Sequence, residues 1–404
     1  MVILSAACAE SIVFVHAARA QSNRFGVPLR YRGEQPSDSE PVFADNIQGI
    51  TTDGRYWYIT QTGDLWKFPI DMDWDAVGPL VPGVSHRELE DYVDGAPFVD
   101  ENYDHMGDLT YDGHCSRKLL VIPLHGDAPY QSAQLVVDAG NLAAVSWRPF
   151  HFCGGSGSDP PTLAAWSAID DEGVVYFPGC GFSEIVGYKI DCEFLADNGL
   201  AFFDFVDRHD LRNENGTLFA RHHKQGGAFS PDGTLFCMST GYETEDSDAV
   251  SDGLHMFDTS TWRRIAHSTN GSGLFSFEWD PEEWPEGEEP EGIVWIDFDD
   301  GGPPGMDGQM HVLLLNNDQH DIFGIPDSDN IYFKHYTHRI WVDAGYPFDG
   351  TGSRPSPFST VGAANQLAWN GCELRIQAGR YDEAVTITKR MQMTGRGGVV
   401  WIGQ

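Results

Sequence analysis

The sequence is poor in basic residues. Its 404 residues contain 25 lysines and arginines against 61 aspartates and glutamates, which gives a formal charge of −36. A chain this acidic repels a phosphate backbone, so nucleic acid is excluded as the expected partner. The acidity is typical of solubility in a salty or extracellular medium. It also leaves open the binding of divalent cations through carboxylate oxygens.

Long apolar runs are missing as well. Beyond residues 1–20, no stretch approaches the roughly 20 apolar residues of a membrane-spanning helix, so no membrane span is predicted. Residues 1–20 are predicted to be a secretory signal, because Ala18-Arg19-Ala20 fits a small-x-small cleavage site, although Glu10 interrupts the apolar stretch. We therefore expect a protein that is secreted and acts outside the cell or at its surface.

Several chemical signatures are also absent. The sequence contains no G-x-S-x-G, no H-E-x-x-H and no phosphate-binding glycine loop. No C-x-x-C pair is present, which argues against the common zinc patterns. Six cysteines remain beyond the predicted signal, an even number that suits disulfides but leaves buried free thiols as the alternative. They are Cys115, Cys153, Cys180, Cys192, Cys237 and Cys372.

The sequence does contain a repeat of nearly constant spacing. A short apolar run that ends in an acidic turn with glycine occurs four times, with steps of 59, 60 and 60 residues between the turn acids. A looser fifth copy lies at residues 291–297. A fixed period in this range is typical of repeat architectures. The turn acids of the first four copies are Asp53, Asp112, Glu172 and Asp232.

Strand-like runs flank every copy, which gives four strands for each repeat. Five such units predict an all-β, five-bladed β-propeller over residues 22–337, with a six-bladed propeller as the alternative. We expect the N-terminal run 27–31 to pair beside residues 331–335 and to close the ring, which protects the sheet edges. The runs predicted to lead the later units are 80–81, 135–137, 202–206 and 274–279.

Residues 338–404 differ in character from the repeats. They contain the runs VDA, GTGS and PFSTVGAA within residues 342–364, then IQAGRYDE at 376–383 and GGVVWIG at 397–403. This segment, about one-sixth of the chain, resembles the N-terminal cap and first coil of pectate-lyase-like right-handed parallel β-helix proteins. The resemblance implies a truncated module of stacked parallel strands that either packs on the propeller or associates with another copy. It assigns no catalytic residue here.

The ligand face of a propeller is expected where the innermost strands begin. Four predicted ligand-face residues lie there: Asn46, His105, Trp166 and Gln225. A dense set of oxygen ligands after a second strand suggests a calcium site, against the alternative of a polar turn. The predicted calcium ligands are Asn316, Asn317, Asp318 and Asp108.

Two functions follow from these residues. We expect a non-catalytic surface, binding or self-assembling protein whose partners are glycans, proteins or its own copies. The alternative is a calcium-supported hydrolase of glycosidase or esterase/lactonase type, with Asp45, Asp108 and Glu291 as the candidate acids. Carboxylates around a central pocket would favour the hydrolase, and small apolar residues would favour binding. Tryptophans that could stack on sugars are Trp57, Trp66, Trp147, Trp166, Trp262, Trp279, Trp284, Trp295 and Trp341.

Overall fold

The structure, a computed structural model, is all-β and has the arrangement of a five-bladed β-propeller. Within the described residues the repeats form five sheets, which confirms the predicted blade number. The described residues are 2–4, 29–93, 103–126, 132–150, 165–179, 183–219, 224–241, 252–270, 275–277, 288–299, 301–316, 329–348, 350–369 and 372–403.

Two strands precede the repeats, and the first three blades follow. The two are β1 (Val2–Leu4) and β2 (Arg30–Glu34). The first blade contains β3 (Ile47–Thr52), β4 (Tyr56–Gln61), β5 (Asp64–Pro69) and β6 (Ser85–Glu88). The second contains β7 (Tyr103–Met106), β8 (Thr110–Asp112), β9 (Leu119–Gly126), β10 (Ser132–Asp138) and β11 (Ala144–Phe150). The third contains β12 (Ala168–Ile169), β13 (Val174–Pro178), β14 (Glu184–Ile190) and β15 (Phe203–Asp210).

Two further blades complete the ring. The fourth contains β16 (Lys224–Phe229), β17 (Leu235–Thr240), β18 (Gly253–Asp258) and β19 (Arg263–His267), and the short pair β20 (Thr269–Asn270) and β21 (Ser276–Phe277) follows it. The fifth contains β22 (Glu288–Trp295), β23 (Met310–Asn316) and β24 (Asn330–Thr337). Short helices lie between strands: a 3-10 turn at Trp74–Ala76, α1 (Glu90–Val93) and α2 (Cys192–Asn198).

An acidic turn joins the two innermost strands of a blade. In the first blade, the Asp53 carboxylate accepts the N–H groups of Arg55 and Tyr56, each at 2.8 Å. In the third blade the acid that does this is Asp170, two residues before the predicted Glu172, and it accepts the N–H of Val174 at 2.9 Å. Aspartate stabilises such turns by accepting hydrogen bonds from the residues that follow it. The repeat in the sequence is therefore the repeated inner hairpin.

The outermost strands differ most from the prediction. Residues 80–81 are not a strand, and Leu80 is exposed; the outermost strand of the first blade is β6. Residues 135–137 belong to the third strand β10, and the fourth strand β11 was not predicted. Among the described residues of 274–279 only β21 is a strand, while β19 takes the outer position. Residues 202–206, by contrast, overlap β15. Outer strands carry many polar residues, as in FDFVDRHD of β15, so their apolar pattern is weak.

Adjacent blades bury each other's faces. Among the described residues, five clusters of buried apolar side chains lie between successive blades. Between the fifth and first blades, for example, Leu313 and Phe333 join Trp57, Trp66 and Phe68 in one cluster. Burial of both faces explains why an inner strand such as β13 reads as a continuous apolar run, VVYFP, rather than as an alternating pattern.

The N-terminal strand closes the ring. Strand β2 pairs antiparallel with β24, so that Arg30 lies opposite Thr337 and Glu34 lies opposite Lys334. The buried Lys334 Nζ lies 2.8 Å from Glu34 Oε2. The predicted closure is confirmed, although the strand spans Arg30–Glu34 rather than residues 27–31. The last blade thus combines strands from both ends of the propeller, which hides an edge that would otherwise pair with other chains.

The C-terminal residues form a separate sheet. Its strands β25 (Arg339–Val342), β26 (Glu373–Tyr381) and β27 (Gln392–Ile402) pair in parallel, and helix α3 (Val361–Leu367) contacts β25 and β26. Strand β1 pairs antiparallel with the outer edge of β27, with Val2 opposite Ile402. Parallel strands need long connections, and the segment that contains α3 supplies one of them.

An ionic network joins this C-terminal module, residues 338–404, to the fifth blade. Arg339 Nη1 lies 2.5 Å from Asp297 Oδ2 and 3.4 Å from Asp299 Oδ2, while its Nε lies 3.1 Å from Glu373 Oε2. Trp341 Nε1 donates to Asp299 Oδ2 at 3.3 Å. Asp297 and Asp299 follow β22. Contact with the propeller, one of the two predicted arrangements of the module, is therefore present.

The cysteines divide between the two alternatives. Cys115 and Cys192 form a disulfide that joins the second and third blades. Cys237 and Cys372 are buried free thiols, and Cys153 and Cys180 lie outside the described residues. Among the described residues, no helix has the length and apolar character needed to cross a lipid bilayer.

Candidate functional site

One carboxyl group occupies the centre of the propeller. Asp108, between β7 and β8, is fully buried. Its Oδ1 accepts the N–H of Ile50 at 3.1 Å, and its Oδ2 accepts that of Gly227 at 3.3 Å. The Asp108 carbonyl accepts the N–H of Ser167 at 2.9 Å, and the N–H of Ile293 also interacts with the carboxyl group. Asp108, itself in the second blade, therefore interacts with each of the other four.

These contacts leave Asp108 little capacity for other chemistry. Burial raises the pKa of its carboxyl well above the usual value, and the N–H groups of Gly227 and Ile50 oppose that increase. A cation that approached the same oxygens would meet the positive ends of these N–H dipoles. The geometry thus favours a role for Asp108 in holding the blades together over the predicted roles in calcium binding or catalysis.

Glycines bring the inner strands close to Asp108. A Cβ atom at Gly49 would lie 2.4 Å from Asp108 Cα, and one at Gly226 would lie 2.4 Å from the carbonyl oxygen of Glu291. A Cβ at Gly292 would lie 2.7 Å from the backbone nitrogen of Ile50. Only a residue without a Cβ permits such approach. This level of the channel is therefore filled by backbone and by the Asp108 carboxyl.

A second carboxyl group lies beside Asp108. Gln225 Nε2 donates to Glu289 Oε2 and lies 3.5 Å from Glu291 Oε1. Burial, the negative charge and hydrogen bond of Glu289, and the charge of Asp108 together raise the pKa of Glu291 well above its usual value. The side chains of Glu289 and Glu291 also hydrogen-bond to each other. The structure thus brings Asp108, Glu291 and Gln225 together, but Asp108 is 0% and Glu291 only 2% exposed, so neither touches a substrate in this conformation.

The other predicted residues on this face lie in different surroundings. Asp45 is exposed and its carboxylate accepts the N–H of Asp329 at 3.2 Å. Asn46 has a left-handed φ of 53°, and its N–H donates to the Asp329 carboxylate at 2.9 Å. His105 Nε2 lies 2.6 Å from Gln48 Oε1. These side chains border the face. The three candidate acids Asp45, Asp108 and Glu291 combine one exposed and two buried carboxyl groups.

Trp166 belongs to the core. Its side chain is fully buried, and its ring lies 5.3 Å from that of Phe236. A Cβ at Gly227 would lie 2.9 Å from the same indole ring. The large ring fills the space that the glycine leaves between the third and fourth blades, so Trp166 is not part of a ligand face.

The calcium site remains a prediction. Asn316 is the last residue of β23 and lies opposite Glu288 in the register of the fifth blade. Asn317 and Asp318 lie outside the described residues, and the oxygens of Asp108 face backbone N–H groups.

The other end of the channel is narrow and is lined by both hydroxyl-bearing and apolar side chains. A cavity of about 140 Å³ is lined there by inner-strand residues of all five blades. Its walls carry no carboxylate among the described residues, in contrast to the buried acids at the level of Glu291. Representative lining residues are Thr51, Leu109, Ile169, Ala228 and Val294.

A larger cleft lies between the third and fourth blades, beside the acidic turns. Its volume is about 440 Å³. The rings of Tyr176, His209, Phe229 and Trp262 line it together with hydroxyl groups and four carboxylates, and no lysine or arginine is among its described lining residues. The carboxylates are those of Asp170, Glu172, Asp207 and Asp258, and the hydroxyls are those of Thr234, Thr259 and Ser260.

Hydrogen bonds and ring stacking fix the wall of this cleft. His209 stacks on Trp262 with centroids 4.5 Å apart and an interplanar angle of 21°. Asp207 Oδ2 lies 2.9 Å from His209 Nε2 and accepts the Tyr176 hydroxyl at 3.3 Å. Burial, the charges of Asp207 and Asp170 and the bond to Asp207 all raise the Tyr176 pKa, so its hydroxyl stays protonated at neutral pH.

Trp262 adopts an unusual backbone conformation. Its φ is 54°, in the left-handed region that a bulky residue rarely occupies. The Trp262 N–H donates to the Asp258 carbonyl at 2.7 Å, and its carbonyl accepts the N–H of Arg212 at 2.9 Å. Such a conformation costs about 1–3 kcal/mol and persists only when its surroundings impose it. The fold thus holds the indole at the cleft in spite of local strain.

Sequence reasoning found the residues of this cleft only in part. Trp262 was among the candidate stacking residues and Glu172 among the turn acids, but nothing in the spacing linked them to Asp207 and His209. The link depends on β15 and on the register of the third blade, where Asp207 lies opposite Gly187 at a β-bulge. No signal in a single sequence gives that bulge.

Comparisons with known proteins do not identify the chain. No protein-family model and no curated protein sequence matches it. Among solved structures, the catalytic domain of the GH62 α-L-arabinofuranosidase of Coprinopsis cinerea is 12% identical, with a TM-score of 0.40, and the match covers 77% of this chain and 98% of that one. A glucose dehydrogenase is 11% identical, with a TM-score of 0.37 and coverage of 74% and 99%. The Dos1 propeller is 9% identical, with a TM-score of 0.30 and coverage of 71% and 66%. Likenesses this distant carry no functional argument.

Proposed function

We propose that this chain is a secreted, non-catalytic glycan-binding protein whose binding site is the cleft between the third and fourth blades. The observation that carries the proposal is the composition of that cleft: aromatic rings, hydroxyls and four carboxylates around a space of about 440 Å³. Ligand sites are typically concave, with apolar and aromatic walls and a few fixed polar groups. Sugar rings offer C–H faces to aromatic rings and hydroxyl groups to carboxylates.

The charge of the cleft limits the class of glycan. Four carboxylates line it and its described residues include no basic side chain other than His209. An anionic sugar would meet like charges at short range, which costs binding free energy. The expected ligands are therefore neutral or amino sugars rather than uronic or sialic acids.

The absence of catalysis is proposed from the state of the central acids. Glycoside hydrolysis requires two carboxyl groups that flank the scissile bond. Asp108 and Glu291 are buried, and both Asp108 oxygens accept backbone N–H groups. One observation favours the hydrolase alternative, namely the raised pKa of Glu291 beside Glu289, which is the state of a proton donor. That donor would need to become exposed before it could act.

Screening on a glycan array, followed by calorimetric titration of the best ligand, tests the proposal. His209→Ala removes the ring that stacks on Trp262 and the bond to Asp207, so affinity should fall at least about tenfold, roughly 1.4 kcal/mol. Phe205→Ala is the matched control, because Phe205 is an exposed aromatic residue of the same strand β15 that does not line the cleft. Equal loss in both variants, or a preference for acidic glycans, would overturn the assignment.

The C-terminal module is proposed to be the cap and first coil of a parallel β-helix. The parallel pairing of β25, β26 and β27 and the position of α3 support this. Self-association through the C-terminal module, and calcium binding near Asn316, belong to the same proposal. Secretion is supported by the disulfide Cys115–Cys192, which persists in oxidising compartments.

A further inference from the structure

Three potential metal ligands meet on the two outer strands of the first blade. Strand register places Asp64 opposite Glu88 and Trp66 opposite His86. Side chains two residues apart on a strand point to the same face, so all four side chains share one face of the blade. Diagonal neighbours across two strands are close enough for long side chains to meet. The ladder of β5 and β6 thus assembles a cluster that sequence spacing alone does not reveal.

The ligand atoms of this cluster are close together and oriented. One ligand atom each from Asp64, His86 and Glu88 lies within 4.8 Å of the others, and His86 Nε2 lies 2.5 Å from Asp64 Oδ1. The His86 ring stacks on Trp66 with centroids 4.1 Å apart, and Trp66 Nε1 donates to Gln61 Oε1 at 2.7 Å. Stacking and hydrogen bonding therefore fix the imidazole on a rigid pair of strands, as a well-formed metal site requires.

We propose that Asp64, His86 and Glu88 bind a divalent transition metal ion of the Zn²⁺ type. An imidazole nitrogen with two carboxylates suits zinc, copper or nickel, whereas calcium takes six to eight oxygens. Three protein ligands leave a fourth position of a tetrahedral ion for water. This position faces solvent, because the side chains of His86 and Asp64 are 20% and 33% exposed and Glu88 is exposed.

Metal ions bind the deprotonated forms of histidine and carboxylate side chains, so binding at this site should weaken in acid. The site is independent of the glycan cleft, which lies between the third and fourth blades.

Calorimetric titration of the full chain with Zn²⁺, in millimolar Mg²⁺ to occupy weak carboxylate sites, tests the proposal. The wild-type protein should bind one Zn²⁺ ion per chain more tightly than any further Zn²⁺ ions. His86→Ala and Glu88→Gln should each weaken the binding of that ion by about tenfold or more. Glu88→Gln changes an exposed carboxylate, so it tests the site even if His86→Ala unfolds.

The control is His267→Ala, in the outer strand β19 of the fourth blade. His267 Nδ1 lies 3.7 Å from Glu214 Oε1 and belongs to no described three-ligand cluster. Replacement of His267 by alanine should leave the affinity for the tightly bound Zn²⁺ ion unchanged. Tight Zn²⁺ binding that survives in Glu88→Gln, or that is lost equally in His267→Ala, would overturn the proposal, as would the absence of a tightly bound Zn²⁺ ion in the wild-type protein.

Discussion

Asp108 shows how a single residue can unite the blades. Its carboxyl accepts N–H groups from the first and fourth blades, and its backbone bonds to Ser167 of the third. Unpaired buried N–H groups cost about 1–3 kcal/mol each, because they lose water without gaining a partner. Asp108 therefore stabilises the fold by accepting hydrogen bonds from buried backbone N–H groups. The sequence alone predicts a catalytic or calcium-binding role for this acid because it does not show that the side chain is buried.

Asp108→Ala tests this role. The substitution leaves the N–H groups of Ile50 and Gly227 without their acceptor in the centre of the protein. We expect the free energy of unfolding, measured by urea titration, to fall by about 3 kcal/mol or more. Asp71→Ala, at an exposed position, is the control and should change it by less than about 0.5 kcal/mol. A change at Asp108 no larger than that of the control would contradict the assignment.

At the scale of elements, the inner strands could be predicted, whereas among the described outer strands only β2 and β15 overlap a predicted run. Inner strands are buried on both faces and end in aspartate turns, and both features are visible in sequence. The outer strands β6 and β19 are short and polar. The apolar pattern of the sequence therefore predicts strands at residues 80–81 and 274–279 instead. The cleft and the cluster of Asp64, His86 and Glu88 depend on register and blade contacts, which periodicity does not encode. Trp262 could be named as a stacking candidate, but its neighbours could not.

The stability of the C-terminal module should depend on pH. Burial alone would raise the pKa of Glu373, but His338, Arg375, Thr394 and Arg339 together hold it far below the usual value. A carboxylate with a lowered pKa contributes stability above its unfolded pKa of about 4.3, and this contribution is lost as pH falls. The module should therefore loosen in acid.

Glu373→Gln measures this contribution. Above about pH 5 the variant should be less stable than the wild-type protein, on the order of 2 kcal/mol by urea unfolding, and the difference should shrink as pH falls below about 4. Asp382→Asn is the control in the same module, because the ion pair of Asp382 with Arg380 is largely exposed and should contribute little. A difference between Glu373→Gln and wild type that does not change with pH would refute the role of this charge.

The whole molecule is a ring closed by its N-terminal strand, with the C-terminal module docked on the last blade. Closure by β2 was predictable, because the first unit lacked a partner for a strand near residue 30 and the last unit lacked its fourth strand. The net charge of −36 keeps such a molecule dispersed and disfavours anionic partners. The proposed function rests at this scale on the open cleft between two blades, since the channel is narrow.

The proposed function is that the protein binds a glycan without converting it. The most direct measurement is an NMR spectrum of the best array ligand, incubated for a day with an equimolar amount of the full chain. We expect ligand resonances broadened by binding, with no new reducing-end or product signals, and sharp resonances with the variant His209→Ala. New anomeric signals that grow with time would contradict it and would identify the chain as a glycosidase.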